Sequence, residues 1–344
     1  MIIRLNKNDK GKLEKLLLDK NMNIAAADIL FESCFISKDR RISAKDIAKE
    51  FELNLSDKED KYFYETRILP SIKEIDEKDY LNNYYRRHIL PKPFKNKEYE
   101  LTYLTFKPYQ LLPYDDIDIK DNFIEVSKIG YFNKPFKYLV VNKNDVTWMS
   151  TDPNEINTMK EAIESSHGNV LAFGLGLGYF PIMSAIKENV KKVVVIEKDP
   201  IIIEIFKKHI LPNFKYKDKI EIVEDDAFKY LQKDLSQFDY LFIDIWHNPE
   251  DGLPLYMKFI RMLKTTNLEV NYWLEKSILA MLRRCLLTVI EESLSNYDDS
   301  NYLKAENDYD RIINELYFKT KNVHFNSYLE ILDFLQDKSL KNLI

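Results

Sequence analysis

Between residues 150 and 275, short runs that are almost wholly apolar alternate with stretches whose apolar residues recur at helical spacing. Residues 170–173, 192–196, 220–223 and 240–243 read as strands, with helices expected from about Pro181, Pro200 and Ala227. Strands that carry no polar alternation must be buried on both faces, which calls for a parallel sheet covered by helices. The run LEVNYWL, from Leu268, offers a fifth strand. The expected fold class is therefore α/β, a Rossmann-like, doubly wound and mostly parallel sheet.

The flanks follow different periods. Up to about Pro113 the apolar positions at 13–18, 25–35 and 47–51 fit helices, and Ser43 with Asp46 three residues later makes a helix start. Residues 123–149 hold the β-like runs FIEVSKIGYF, FKYLVVN and DVTWMS, parted by the turn segments NKP and KND. Thr151 or Asp152 can then cap a helix whose first turn holds Pro153. Helices return from about Lys276 to the end. This divides the chain into an N-terminal helical domain (1–113), a β-hairpin connector (114–150), the Rossmann-like domain (151–275) and a C-terminal helical extension (276–344).

Charge and composition narrow the partners. A formal net charge of −5 supplies no cationic field for a phosphate backbone. RRISAKDIAKEFELN is faintly similar to the first helix of a helix-turn-helix, but no basic recognition helix follows it, so a nucleic-acid partner is not expected. Cys34 and Cys285 have no disulfide or metal-ligand spacing, and no metal is expected. The apolar stretch 277–290 is interrupted by Arg283 and Arg284 and is too short to cross a bilayer, and the N-terminus lacks a secretory apolar run. A cytoplasmic protein with a small-molecule substrate is expected. Its helical arms should fold over the carboxyl edge of the sheet or make a homodimer contact.

The chemistry concentrates at the strand ends. Of only seven glycines, Gly174, Gly176 and Gly178 crowd the end of the first central strand. A glycine-rich turn between a parallel strand and a helix lets backbone approach a ligand and aims free helix amides at it. A dinucleotide fingerprint would need a further glycine at Tyr179, so NAD fits poorly. With VLAFGLGLGYF the chain resembles the class I S-adenosylmethionine-dependent methyltransferases, nearest to their spermidine-synthase-like branch, over roughly residues 169–263.

The resemblance implies S-adenosylmethionine as cofactor, with Glu197 on the ribose hydroxyls and Asp226, or Asp225 in its stead, on the adenine amino group beside the Ala227 amide. Asp244, at the end of the fourth strand, falls where donor and acceptor meet in that superfamily and is the first candidate for orienting or deprotonating the acceptor. Trp246 could stack on a flat substrate or sit in the core, and His247 could take a proton or lie at the surface. Ala172, where many members carry an acid, and the preceding hairpins agree with the spermidine-synthase branch. His247, however, stands where that branch has the second acid of its Asp-x-x-Asp arrangement, and Glu250 and Asp251 are the only other acids nearby in sequence. Methyl transfer to a small or medium-sized acceptor is the expected activity. Aminopropyl transfer from the decarboxylated donor, or adenosyl binding without catalysis, are the alternatives.

Overall fold

The structure is a computed structural model that describes residues 1–35, 40–295 and 299–344. Five parallel strands form the central sheet: β1 (Gly168–Phe173), β2 (Val190–Glu197), β3 (Ile220–Glu224), β4 (Tyr240–Ile243) and β5 (Glu269–Tyr272). Their order is β3-β2-β1-β4-β5, and every neighbouring pair runs parallel. The order reverses between β1 and β4, which opens a crevice at their carboxyl ends. Val170, Leu171, Ala172 and Phe173 are fully buried, as are Tyr240, Leu241 and Ile243, so the unbroken apolar runs answer to helices on both faces. Among the described residues the sheet stops at β5, and helices follow in place of closing antiparallel strands.

The helix after β1 spans Tyr179–Ala185, two residues ahead of the expected start. Gly178 sits in the left-handed region (φ 73°) and turns the chain directly into the helix. Pro181 is tolerated because it occupies the first turn, where backbone N–H groups have no intrahelical partner anyway.

The N-terminal region departs from the helical expectation. Strands already occur at Ile72–Glu74, Phe94–Lys95, Tyr99–Phe106 and Leu112–Ile119, so β structure begins well before residue 114. These strands build two small sheets with the later segments Glu125–Tyr131, Phe136–Lys143 and Val146–Ser150. Tyr99–Phe106 pairs antiparallel with Phe136–Lys143 over its full length, a partner that begins thirty residues after it and that no local turn signal announces.

Helix α1 (Lys7–Ser33) joins two cores. Its first half places Leu13, Leu16 and Leu17 in the main core. Its second half places Met22, Ala26 and Leu30 against Ile47, Ala48, Phe63 and Ile68. The helix-turn-helix-like stretch thus becomes a short helix, Ala44–Glu50, capped by Ser43 and Asp46 and packed on α1. A fully buried Arg67 fixes this junction by donating to Asp19 Oδ1 at 2.7 Å and to Asn23 Oδ1 at 3.0 Å.

On the far side, α2 (Pro249–Leu263) packs on α3 (Glu275–Leu294) and sets Tyr256 against Tyr272 of β5 and Phe259 against Phe173 of β1, while α3 also meets the strand Leu112–Ile119. Of the expected C-terminal helical stretch, residues 296–298 lie outside the described residues; beyond them helices occupy Asp308–Thr320, Tyr328–Phe334 and Asp337–Leu343. Ile2 and Ile3 pair in parallel with His324 and Phe325, tying the two ends of the chain together. Among the described residues no helix is long and apolar enough to cross a membrane.

Candidate active site

All three glycines of the turn have positive φ: 94° at Gly174, 53° at Gly176 and 73° at Gly178. Their surroundings differ. A Cβ on Gly174 would overlap the carbonyl oxygen of Asp244, and one on Gly178 would overlap the ring of Phe206. Internal packing therefore accounts for these two. A Cβ on Gly176 would meet only the Met149 sulfur, 4.0 Å away. Gly176 leaves backbone bare toward open space, as a ligand-bearing turn requires.

Glu197 ends β2 beside this turn. Its Oε2 accepts the Leu175 N–H at 3.0 Å and its Oε1 the Asp199 N–H at 2.8 Å. Asp199 caps the following helix through the Ile201 N–H at 2.9 Å and accepts the Tyr99 hydroxyl at 2.6 Å. Tyr99 thereby brings the antiparallel sheet over the carboxyl edge of β2. The same sheet contributes Met149, over Gly176, and Trp148, whose ring meets that of His247 at 4.4 Å between centroids.

At the end of β3, Asp226 caps the helix Ala227–Tyr230 by accepting the Lys229 N–H at 3.0 Å. Asp225 accepts the Asp226 N–H at 2.9 Å and pairs with Lys233 at 2.7 Å, which holds its carboxyl below the usual range. Of the two, Asp225 is the more committed elsewhere. Asp226 and the buried Ala227 remain beside the crevice.

Asp244 makes only a backbone bond, from its N–H to the Phe173 carbonyl at 2.9 Å, and its carboxylate has no hydrogen-bond partner among the described residues. Burial, and after it the negative charge of Glu197, push this carboxyl up to about 7. Glu155 faces it, also without a side-chain partner, and is held well above its ordinary range by burial, then by Asp244 and Asp152. Asp152 is raised by burial as well, although it accepts the Glu155 N–H at 3.1 Å as helix cap. Glu155 thus links Asp244 to Asp152 in a cluster of three carboxyls, each of which burial biases towards its protonated form.

Asp152 caps the helix Pro153–Thr158 and Glu155 lies in its first turn, and in the sequence they were legible only as a helix start. Nothing in their spacing marks them as neighbours of Asp244. The reading that Glu250 and Asp251 are the acids near Asp244 is corrected accordingly. Asp251 instead accepts the Asn248 N–H at 2.9 Å to cap α2, and binds His247 Nδ1 at 3.0 Å.

Trp246 and His247, adjacent in sequence, take different surroundings. Trp246 is buried in the core, its indole N–H donating to the Trp273 carbonyl at 3.1 Å, so it is no pocket wall. His247 is exposed, bound to Asp251 and set against Trp148. His247→Gln should therefore change turnover by no more than about threefold, the scale of an exposed pair. A loss comparable to that of a catalytic base would restore His247 to the mechanism.

Residues 167–268 match the model of the "Spermine/spermidine synthase domain" family. With the strand order, this settles the architecture. Residues 167–268 carry a Rossmann-like, class I methyltransferase-like fold. A curated relative, "Probable ribosomal RNA small subunit methyltransferase A" of Methanosphaera stadtmanae, is 38% identical over 92 residues, 26% of this chain and 30% of that protein. The chain thus spans less than a third of the length of this relative. Among solved structures, spermidine synthase from Thermotoga maritima is 17% identical, covering 44% of this chain and 58% of that one with a TM-score of 0.31. A spermidine synthase in complex with the transition-state analogue AdoDATO matches with the same figures: 17% identity, 44% and 58% coverage, TM-score 0.31.

Proposed function

We propose that the chain is an adenosyl-sulfonium-dependent transferase that moves a methyl group from S-adenosylmethionine to an amine-bearing small molecule. The observation that carries this is the convergence, at the crevice between β1 and β4, of the open Gly176 turn, Glu197 and the unpaired carboxyl of Asp244. The donor fits these residues. Glu197 would take the ribose hydroxyls, Asp226 and the Ala227 amide the adenine edge, and the turn amides the chain of the amino acid.

When bound, the sulfonium supplies an intrinsically reactive carbon, so the protein has little covalent work to do. Asp244, Glu155 and Asp152 attract the ammonium form of the acceptor and fix its nitrogen. Asp244, with its raised carboxyl, is matched to take the proton that the amine must lose before it can attack. The antiparallel sheet, which sets Met149 near Gly176 and Tyr99 on Asp199, would exclude water from above.

A second reading, aminopropyl transfer from decarboxylated S-adenosylmethionine to a polyamine, is favoured by the carboxylates themselves. Asp152 and Glu155 supply in space the carboxyls that His247 withholds in sequence. Isothermal titration with both donors, followed by mass analysis after incubation with a panel of amines, separates the two: a gain of one methyl supports the first, a gain of an aminopropyl group the second.

Glu197→Ala should weaken S-adenosylhomocysteine by about 1.5–3 kcal/mol for each charged hydrogen bond lost. Because Glu197 also accepts the Leu175 and Asp199 amides, Glu197→Gln, which keeps one acceptor oxygen, should lose less. Wild type that binds NAD and neither adenosyl compound in the calorimeter would overturn the proposal.

A further inference from the structure

A cavity of about 350 Å³ lies between the short helix Tyr84–His88 and the strand Phe136–Lys143. That volume is within the range of small-ligand sites. It adjoins the crevice. The Tyr85 hydroxyl donates to the carbonyl of Leu177 in the glycine turn at 2.5 Å, Asn83 donates to the Tyr179 hydroxyl at 2.7 Å, and Thr151, next to Asp152, lines the far wall.

Its charge is opposite to that of the carboxylate pocket. Among the described residues that line it, the charged side chains are Arg86 and the exposed Lys137. Neither has a carboxylate partner among the described residues. Arg86 is half-buried, lies over the Phe136 ring at 4.1 Å and spends one Nη2 hydrogen bond on the Lys137 carbonyl at 3.0 Å. Lys137 sits over the Tyr103 ring at 4.4 Å. The Tyr85 and Tyr103 hydroxyls are spent on the carbonyls of Leu177 and Pro91, whereas the Tyr138 hydroxyl makes no hydrogen bond among the described residues. A half-buried guanidinium without a carboxylate partner among the described residues is costly, and here it borders an aromatic-walled space that Lys137 and Tyr138 also line.

We infer that this cavity is an anion subsite, built to receive a carboxylate through Arg86, Lys137 and the Tyr138 hydroxyl. The guanidinium fork suits a carboxylate bidentately, and the tyrosine rings suit a flat or apolar neighbour of that carboxylate. Its assignment to a substrate of the sheet edge rests on the transferase reading. The substrate complex would then be dipolar, with its cationic end at Asp152, Glu155 and Asp244 and its carboxylate here. That carboxylate belongs either to the acceptor or to the amino-acid end of the donor.

The test uses benzoate as probe and benzamide as its neutral isostere, titrated into the full chain without donor. Benzoate should bind and benzamide should bind at least about 10-fold more weakly. Arg86→Gln should weaken benzoate by about 10- to 100-fold, Arg86→Lys less, and Lys137→Gln by about threefold. Tyr138→Phe, which keeps the ring stacked on Phe106 and removes only the hydroxyl, should weaken it measurably with an unchanged melting temperature. Equal binding of benzoate and benzamide, or no response to Arg86→Gln and Tyr138→Phe in folded variants, overturns the inference. Competition between benzoate and S-adenosylhomocysteine, with Arg86→Gln weakening that ligand but not its decarboxylated analogue, assigns the carboxylate to the donor. Independent binding assigns it to the acceptor. Because benzoate is read without an adenosyl ligand, loss of the subsite and loss of the transferase reading give separate results.

Discussion

Asp244→Asn is expected to lower kcat by roughly 10²–10⁴ while leaving S-adenosylhomocysteine affinity within about threefold of wild type. The adenosyl moiety would be held by the glycine turn, Glu197 and Asp226, whereas the Asp244 carboxylate has no hydrogen-bond partner among the described residues. An amide at this place keeps the shape and removes the proton acceptor.

The pH dependence has a definite sign. Burial and Glu197 raise the Asp244 carboxyl to about 7, and only its ionised form can take a proton. Wild-type kcat/KM should therefore rise with pH through the neutral region, and the rise should vanish in Asp244→Asn. For stability the direction is reversed. Below about pH 4, the ordinary carboxyl range, both states carry the proton and there is no penalty. From there to about 7 the unfolded chain ionises while the folded one keeps its proton, so stability falls as pH rises. Asp244→Asn should accordingly melt at a higher temperature than wild type at pH 8. A variant that turns over normally, or that melts lower with its turnover lost, would remove Asp244 from the chemistry.

The glycine turn gives the second large effect, and its three positions should separate. Gly174→Ala adds a methyl against the Asp244 carbonyl at φ 94°. Since that neighbour is backbone, β1 and β4 must part. The left-handed penalty of about 1–2 kcal/mol and overpacking of about 1–3 kcal/mol combine to a loss of several kcal/mol. Gly176→Ala carries only the first of these, because its Cβ enters open space toward Met149. It should unfold at a urea concentration near that of wild type yet bind S-adenosylhomocysteine at least about 10-fold more weakly, the new methyl standing where the ligand must lie. If Gly176→Ala binds like wild type, the turn exists for packing and the adenosyl site lies elsewhere.

The central sheet was legible because each of its features is written in contiguous residues. Apolar runs without alternation can only be strands buried on both faces, and 170–173, 192–196, 220–223 and 240–243 all lie within observed strands. The crowding of glycines before Tyr179 marked the turn, since only glycine accepts three left-handed positions so closely spaced. Asp244, at a strand end, could be placed at the sheet edge by counting.

What tertiary structure alone decided lies between elements distant in sequence. Tyr99–Phe106 was hidden because its partner, Phe136–Lys143, lies beyond an intervening sheet. Trp246 and His247 are adjacent, yet one enters the core and the other reaches solvent, a choice made by Trp273 and Asp251. Glu155 becomes a neighbour of Asp244 only when the helix Pro153–Thr158 packs at the crevice. Local periodicity specifies which face of an element is buried. Which two carboxylates then meet is set by the packing of elements, and the electrostatic cost of holding them together appears only there.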